Sequence, residues 1–417
     1  MQSAWVGVVS SVGALLFLCS VSCDAQAELS GQVRLQWTGQ QASTEGPLAQ
    51  ANALQSGPSV DALPASGATV ETELRASGHG LTGVVTLQQQ RQESQATDSR
   101  AWVNELYASH DGGAWQYSAG KKIVAWDVGY GFRPNDMVQQ EERRMLVSST
   151  AEGRALLMAE HFNANTAWSW IWVNPSKPAE QAGAQEPALA VRVYQRDGAV
   201  DWHGFARLGA HTGASVGGAV AWVASDALEL HSSLRFSERV DSLAIASQVK
   251  GLVASNPWQP GTEHDVKQLL VGGTWTHVSQ LSLLAEAWWD GTAPADAQWD
   301  AWAQRNGQLP TLAMLGAPAA AVAGNLAWQA QAFSVSPSLR RSNVFLRLSW
   351  QHDAWQPALD ILYTPADQGR VVTASLIWQG DRVQVQGGLR VYGGPASAVL
   401  VQLPARGMAY VAATWTF

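Results

Sequence analysis

Segment after segment of this chain alternates apolar and polar side chains with a period of two. In 29–38, Leu29, Gly31, Val33, Leu35 and Trp37 fall on one face, and Ser30, Gln32, Arg34 and Gln36 on the other. Successive side chains of a strand point to opposite sides, so each such segment predicts a strand with one apolar and one polar face. The pattern returns in Leu228, Leu230, Leu234 and Phe236 against Glu229, His231, Ser233 and Arg235. It is clear again in Val344, Leu346, Leu348 and Trp350, and in Val383, Val385, Gly387, Leu389 and Val391. The reading gives about eighteen strands. They lie near 29–38, 69–77, 81–91, 100–109, 114–122, 154–163, 166–174, 187–196, 200–209, 214–223, 228–238, 267–276, 280–289, 341–351, 356–364, 370–379, 382–392 and 408–417.

The connections alternate too. Gly78 to Gly80, Asp111 to Gly113, Asn163 to Asn165, Asp197-Gly198, Ser225-Asp226, Ser279, His352-Asp353 and Gly380-Asp381 are tight turns. Most of the intervening connections are long: 39–68, 92–99, 123–153, 175–186, 239–266, 290–340 and 393–407. Those near Ala210–Gly213 and Pro365–Gly369 are short but keep the parity. Short turns on one side and long loops on the other predict a transmembrane antiparallel up-and-down β-barrel, with long extracellular loops and short periplasmic turns. A large soluble two-sheet protein also alternates, but it has no need of aromatics at strand ends. Here Trp37, Trp115, Trp222, Trp275, Trp288, Trp289, Trp350, Trp378 and Trp415 cluster there, at the depth where a half-apolar ring suits a bilayer's headgroup level.

Composition supports this reading. Charged residues are only 14% while Trp occurs 21 times, and no linker divides the chain. The first 27 residues are expected to be a secretory signal peptide, with an apolar stretch from Val6 to Val21 and Ala25, Gln26 and Ala27 as its cleavage pattern. Its opening residues carry no Lys or Arg, and Cys23 leaves a lipoprotein signal as a second reading. Residues 28–417 are then the barrel. Cys19 and Cys23 both fall in the leader, so the barrel itself has no disulfide, thiolate metal site or cysteine nucleophile.

The chain closes on Val411, Ala413, Trp415 and Phe417, all on one face. This resembles the closing strand of Gram-negative outer-membrane proteins, and the resemblance makes Trp415 and Phe417 an assembly signal read by the barrel-assembly machinery. Over its whole mature length the chain resembles porin-like barrels of about 16–18 strands, a size at which the lumen is too wide for side chains to fill. Alginate-export and capsule-attachment barrels are similar in size, but no diagnostic motif selects either.

The face assignment sends Arg34, Arg75, Arg192, Arg207, Arg235, Arg347, Arg382 and Arg390 into the lumen, with Glu71, Glu73, Asp201, Glu229, Glu286 and Asp360. Rings of charge set ion preference in pores; inward charges also simply pair with one another. The long gap between the fifth and sixth strands carries Lys121, Lys122, Asp127, Arg133, Asp136, Glu141, Glu142, Arg143 and Arg144, with Trp126, Tyr130 and Phe132. As the third long loop, it resembles the one that folds inward in general porins, and it is the candidate constriction. Glu141 to Arg144 could form one helical turn. In 290–340, Trp299 and Trp302 predict a short amphipathic helix ending before Gly307; Leu309 to Ala323 has no placement. The 39–68 loop reads as mobile.

Catalysis finds little support. His231 and Ser233 share a strand face, yet no third partner is evident; Trp202-His203 offers nothing further. No metal-ligand spacing, phosphate loop or basic nucleic-acid patch is present, and no cofactor is implied. The expectation is a non-enzymatic outer-membrane channel for passive or substrate-preferring diffusion of small polar solutes, anions among them. The alternative is a plugged attachment barrel that binds polysaccharide through its loops.

Overall fold

The structure is a computed structural model describing residues 28–54, 65–93, 96–139, 151–245, 249 and 251–417. The proposed leader therefore lies outside the described residues. The strands are β1 (Glu28–Ala42), β2 (Gly67–Gly78), β3 (Leu81–Gln92), β4 (Asp98–Asp111), β5 (Trp115–Lys122), β6 (Arg154–Phe162), β7 (Thr166–Val173), β8 (Ala188–Asp197) and β9 (Val200–Gly209). They continue as β10 (Gly213–Ser225), β11 (Leu228–Ile245), β12 (Trp258–Thr276), β13 (Leu281–Asp290), β14 (Ser342–Trp350), β15 (Trp355–Thr364), β16 (Gly369–Gln379), β17 (Val383–Gly393) and β18 (Ala405–Thr416). Each pairs antiparallel with its sequence neighbours, and β1 pairs with β18, from Gln32 opposite Thr416 to Ala42 opposite Ala405. The 18-stranded sheet closes on itself. Closure leaves no edge with unpaired N–H and C=O groups, which is what hydrocarbon demands of any spanning sheet.

The alternation read from the sequence sorts the two faces. Leu29, Leu35 and Trp37 on β1, Leu346, Leu348 and Trp350 on β14, and Leu389 and Val391 on β17 are exposed on the outside. Arg34, Gln36, Arg347 and Arg390 take the inside. Trp115, Trp168, Trp202, Trp222, Trp275, Trp350, Trp355 and Trp415, all exposed, sit at the turn end of the barrel; Trp37, Trp172 and Trp289 sit towards the loop end. Trp288 was placed in this girdle from its position near a strand end. It faces the lumen instead, where its Nε1 donates to Ser338 Oγ at 3.2 Å. Its neighbour Trp289 is the outward one, as strand parity requires. At the seam, Gly31 and Phe417 exchange backbone hydrogen bonds at 3.0 Å, and the Trp415 and Phe417 rings lie 4.9 Å apart.

Three connections differ from expectation. The 239–266 loop is mostly strand: β11 and β12 run on as a hairpin to Ile245 opposite Trp258. Beyond the bilayer neither face meets lipid, so the alternation fades while the ladder continues. The 39–68 connection contains α1 (Gly46–Ala53). The 290–340 connection forms two helices, α2 (Asp296–Met314) and α3 (Ala319–Gln329), so the helix does not stop at Gly307 but runs through it and through Pro310. Leu309, Val322, Ala323 and Leu326 are buried there against Ala51 of α1, and this packing outweighs the local breakers. Near the start of α2, Trp299 and Trp302 pack with Phe333, Val371, Val399 and Leu400, and with the half-buried Leu362 and Tyr392. Leu362, Val371 and Tyr392 are lumen-facing positions near the loop ends of β15, β16 and β17. The helical cap thus leans into the extracellular mouth.

Candidate functional site

After Lys122 the chain turns into the lumen. Val124, Trp126, Val128, Met137 and Val138 pack on Leu156 and Met158 of β6, Ile171 and Val173 of β7, Ala190 of β8, Phe205 of β9 and Ala219 of β10. These wall positions face inward, where a water-filled lumen would favour polar groups. Burying one such side chain contributes about 1.5–3 kcal/mol before ordering costs. The loop therefore has an apolar seat built for it on β6–β10.

Polar anchors fix its further course. The Asp127 carboxylate accepts from Asn135 N at 2.6 Å, Val128 N at 2.8 Å and Ser233 Oγ at 2.9 Å. Burial pushes the Asp127 carboxyl up, against the pull of those donors and of Arg133. Asn135 Nδ2 donates to Ser233 Oγ at 2.7 Å and to Leu234 O at 3.1 Å. A Cβ at Gly217 would overlap the Asn135 side chain, so β10 needs glycine at that approach. Arg235 Nη1 donates to Pro134 O at 3.1 Å.

On β13, Glu286 receives the N–H of Tyr130 at 2.6 Å and of Gly131 at 2.7 Å. His231 Nε2 lies 3.0 Å from the same carboxylate, and its Nδ1 is 3.2 Å from Glu229. Phe132 stacks on Trp288 at 5.6 Å, and Tyr130 on Phe345 of β14 at 5.9 Å. The Arg347 guanidinium sits 5.5 Å from the Tyr130 ring centre. The described part of the loop thus docks on the wall from β4 to β14. Its return is tied by Gln139 Nε2 to Glu152 O at 2.8 Å, and Glu152 bridges Lys121 at 2.5 Å and Arg100 at 3.1 Å. The Lys121 hydrogen bond holds the Glu152 carboxyl below its usual range. Arg133 stays within the loop, with Nε on Gly129 O at 2.8 Å, and Asp136 is buried. Lys121 and Lys122 are the last residues of β5 rather than of the loop; Lys122 Nζ bonds Ser118 Oγ at 3.2 Å. Glu141, Glu142, Arg143 and Arg144, and the helical turn expected of them, lie outside the described residues.

Several of the charges assigned to the wall pair or bond with neighbouring side chains. Arg34 pairs with Glu71 at 3.6 Å, and Arg347 with Asp360 at 2.9 Å. Arg390 Nε donates to Thr373 Oγ1 at 3.0 Å. Arg192 lies 3.3 Å from His203 Nδ1. Glu73 stands between Glu71 and Arg75 on β2, with Arg75 exposed near the turn end. Four assigned positions leave the open wall. Arg382 falls in the turn before β17, where its carbonyl accepts from Thr416 N at 2.9 Å; the strand starts one residue later than expected. Arg235 and Glu286 are covered by the loop. Arg207 is buried at the extracellular end, 2.7 Å from Glu186. Glu186 also accepts from His211 N and Thr212 N at 2.5 Å each.

Sequence reasoning missed the apolar seat, Ser233 as a dock and Glu186; Asp360 does face the lumen as assigned, opposite Arg347. The seat did leave a signal. Alternation fails in Ala155-Leu156-Leu157-Met158 and in Ile171-Trp172-Val173, where both faces are apolar. His231 and Ser233 do share the lumen face, but each is engaged with the loop or its anchors. Among the described residues, no group of three or more His, Cys, Asp or Glu is placed to hold a metal ion.

No family model and no curated protein matches the chain. Solved structures do. A crystal structure of Acinetobacter baumannii OccAB1 matches with a TM-score of 0.54 and 9% identity, covering 94% of this chain and 96% of that one. The chain has a porin-like barrel fold. A mutant of the Rh. blastica porin matches with a TM-score of 0.42 and 11% identity, over 94% of this chain and 100% of that one. A loop deletion mutant of OmpT, an outer membrane protein of Vibrio cholerae, gives 0.40 and 9%, with the same coverage of each chain. At such identity the likeness concerns the fold of the barrel.

Proposed function

We propose that this protein is an outer-membrane channel for passive or substrate-preferring diffusion of small polar solutes, narrowed by the loop that starts at Ile123. The observation that carries this reading is the double anchorage of the loop across the lumen wall, at Asp127–Ser233 on one side and Tyr130–Glu286 on the other. A solvated outer loop has no use for an apolar seat and buried carboxylate anchors. The arc of wall from β15 through β18 to β3 carries Gln32, Arg34, Gln36, Glu71, Glu73, Gln88, Asp360, Gln384 and Arg390 on its inner face, a polar lining suited to hydrated solutes. The loop's own carboxylates Asp127 and Asp136 are buried in its docking, so the charges a passing solute meets are those of the facing arc, where Arg34 and Arg390 stand among Glu71, Glu73 and Asp360.

Planar-bilayer recording tests this. Stepwise ion-permeable openings support a channel. Arg347→Ala leaves Asp360 without its partner and is expected to shift reversal potentials toward cations, whereas Arg382→Ala, in the turn, leaves them unchanged. Equal shifts from both variants would remove the wall charges from the mechanism. A second reading, a plugged barrel that attaches polysaccharide, is favoured by one observation: the helical cap packs onto Leu362, Val371 and Tyr392 inside the mouth. A silent, sealed barrel that retains glycan through its loops would select it.

A further inference from the structure

Among the described residues three arginines are buried: Arg207, Arg305 and Arg340. Arg207 has Glu186 at 2.7 Å, and Arg340 has Asp296 at 3.2 Å and Asp367 at 3.6 Å. Arg305, on α2 in the extracellular cap and 8% exposed, has no carboxylate within ion-pair distance among the described residues. Its Nη1 donates to Val249 O at 3.3 Å and Gly251 O at 3.0 Å, and its Nη2 to Asn325 Oδ1 at 3.1 Å. A guanidinium has five N–H donors. Nε, closed off from solvent, has no acceptor here, and Nη2 uses one of its two hydrogens on Asn325.

Neutral oxygens orient this cation without neutralising it, and a buried charge is ordinarily paired. Burial alone pushes its pKa down, with no opposing carboxylate. The holder is rigid. Asn325 Nδ2 donates to Val253 O and Ala321 O at 3.0 Å each, and Val253 N returns to Asn325 Oδ1 at 3.1 Å. Arg305 also lines a cavity of about 290 Å³ together with Gly251, Gly307, Gln308, Leu309 and Thr311. Gln308 and Thr311 add side-chain hydrogen-bond groups to its lining, and Gly307 has open space where a Cβ would stand.

We propose that this cavity is an oxyanion-binding site, in which Arg305 takes the carboxylate or phosphate of a small hydroxylated molecule at the extracellular mouth. The volume of about 290 Å³ suits one sugar-sized ring. The same chemistry is offered by a free solute and by the headgroup of a neighbouring outer-leaflet lipid. Guanidinium is suited to both because its planar donors match two oxygens at once. The site does not depend on conduction, so it stands or falls separately from the channel reading.

The test is isothermal titration calorimetry on detergent-purified full-length protein at low ionic strength, with glucuronate, glucose, inorganic phosphate and lipopolysaccharide as separate probes. Wild type is expected to bind glucuronate or phosphate and not glucose. Arg305→Gln is expected to weaken binding by about 10- to 100-fold, the worth of a charge-assisted contact. Gly307→Leu fills the cavity from the helix without touching Arg305, and it is expected to abolish binding while the barrel keeps its heat-modifiable migration on gels. Binding of lipopolysaccharide alone, lost in both variants, assigns the site to the lipid source. No oxyanion binding by folded wild type, or equal binding by wild type and Gly307→Leu, overturns the proposal.

Discussion

Glu286 is the sharpest place to test whether the loop is held as its geometry implies. Its carboxylate takes two backbone N–H groups, Tyr130 at 2.6 Å and Gly131 at 2.7 Å, while itself buried to 2% exposure. Hydrogen bonds to a charged group are worth about 1.5–3 kcal/mol each, and a buried donor left without an acceptor costs about 1–3 kcal/mol. Glu286→Ala therefore weakens this anchor by about 3–6 kcal/mol. Glu286→Gln keeps one acceptor oxygen and turns an NH2 toward the second N–H, so it loses roughly half of that. The barrel is not at risk, because its sheet is closed elsewhere and the Asp127–Ser233 dock is untouched. Local opening should instead become easier. Each 1.4 kcal/mol is about tenfold in an opening equilibrium, so amide exchange at Tyr130 and Gly131 should accelerate about 10²- to 10⁴-fold in Glu286→Ala. Exchange at Asn135 should change much less. In planar bilayers the same variant should show larger and noisier openings. Exchange at Tyr130 within about threefold of wild type, in a folded Glu286→Ala barrel, would show that the apolar seat alone holds the loop and that the anchor argument is wrong.

Two other outcomes follow from the same geometry. A Cβ on Gly31 would lie 2.6 Å from the Phe417 ring and 2.8 Å from Glu73 O; Gly31→Val should open the β1–β18 seam and lower the temperature at which the band shifts on semi-native gels, while Gly204→Ala, in open space on β9, should not. For Glu186, burial raises the carboxyl pKa, but Thr212 N–H and Arg207 outweigh it and hold the carboxyl below the ordinary value for a glutamate. A depressed pKa means stability that is present above that value and lost as pH falls through the lower native one. Amide exchange at His211 and Thr212 should therefore rise only as pH falls below the ordinary Glu range, and Glu186→Gln should show fast exchange at all pH values; an acid-independent wild type would contradict the clamp.

The barrel was legible because lipid and water enforce it residue by residue. Every strand that crosses the bilayer must present one apolar face, so period two survives wherever both solvents are present, and the eighteen strands expected are the eighteen that close the sheet. Where one solvent disappears the signal goes with it. The β11–β12 hairpin beyond the bilayer lost its alternation and read as a loop. Gly307 read as a helix end, and Leu309 to Ala323 had no placement, because sequence spacing does not reveal that Leu309 will be buried between α1 and α3.

The same principle explains what was hidden at the site. An inward charge can be assigned from parity, but its partner comes from the residue-by-residue register between neighbouring strands: Arg34 opposite Glu71, Arg347 opposite Asp360. Those pairs tie wall charges to one another. The loop carries charges of both signs. Yet the carboxylates of Asp127 and Glu286 accept backbone N–H groups from the loop itself. Acid groups engaged in holding the loop contribute little to a solute passing it, while a paired arginine still presents donors to an approaching oxygen. Selectivity in this barrel is therefore expected to be a matter of which donors remain turned to the lumen, rather than of net charge. A salt-insensitive preference among equally charged solutes is its signature, since a preference set by net charge alone would be screened away as ionic strength rises.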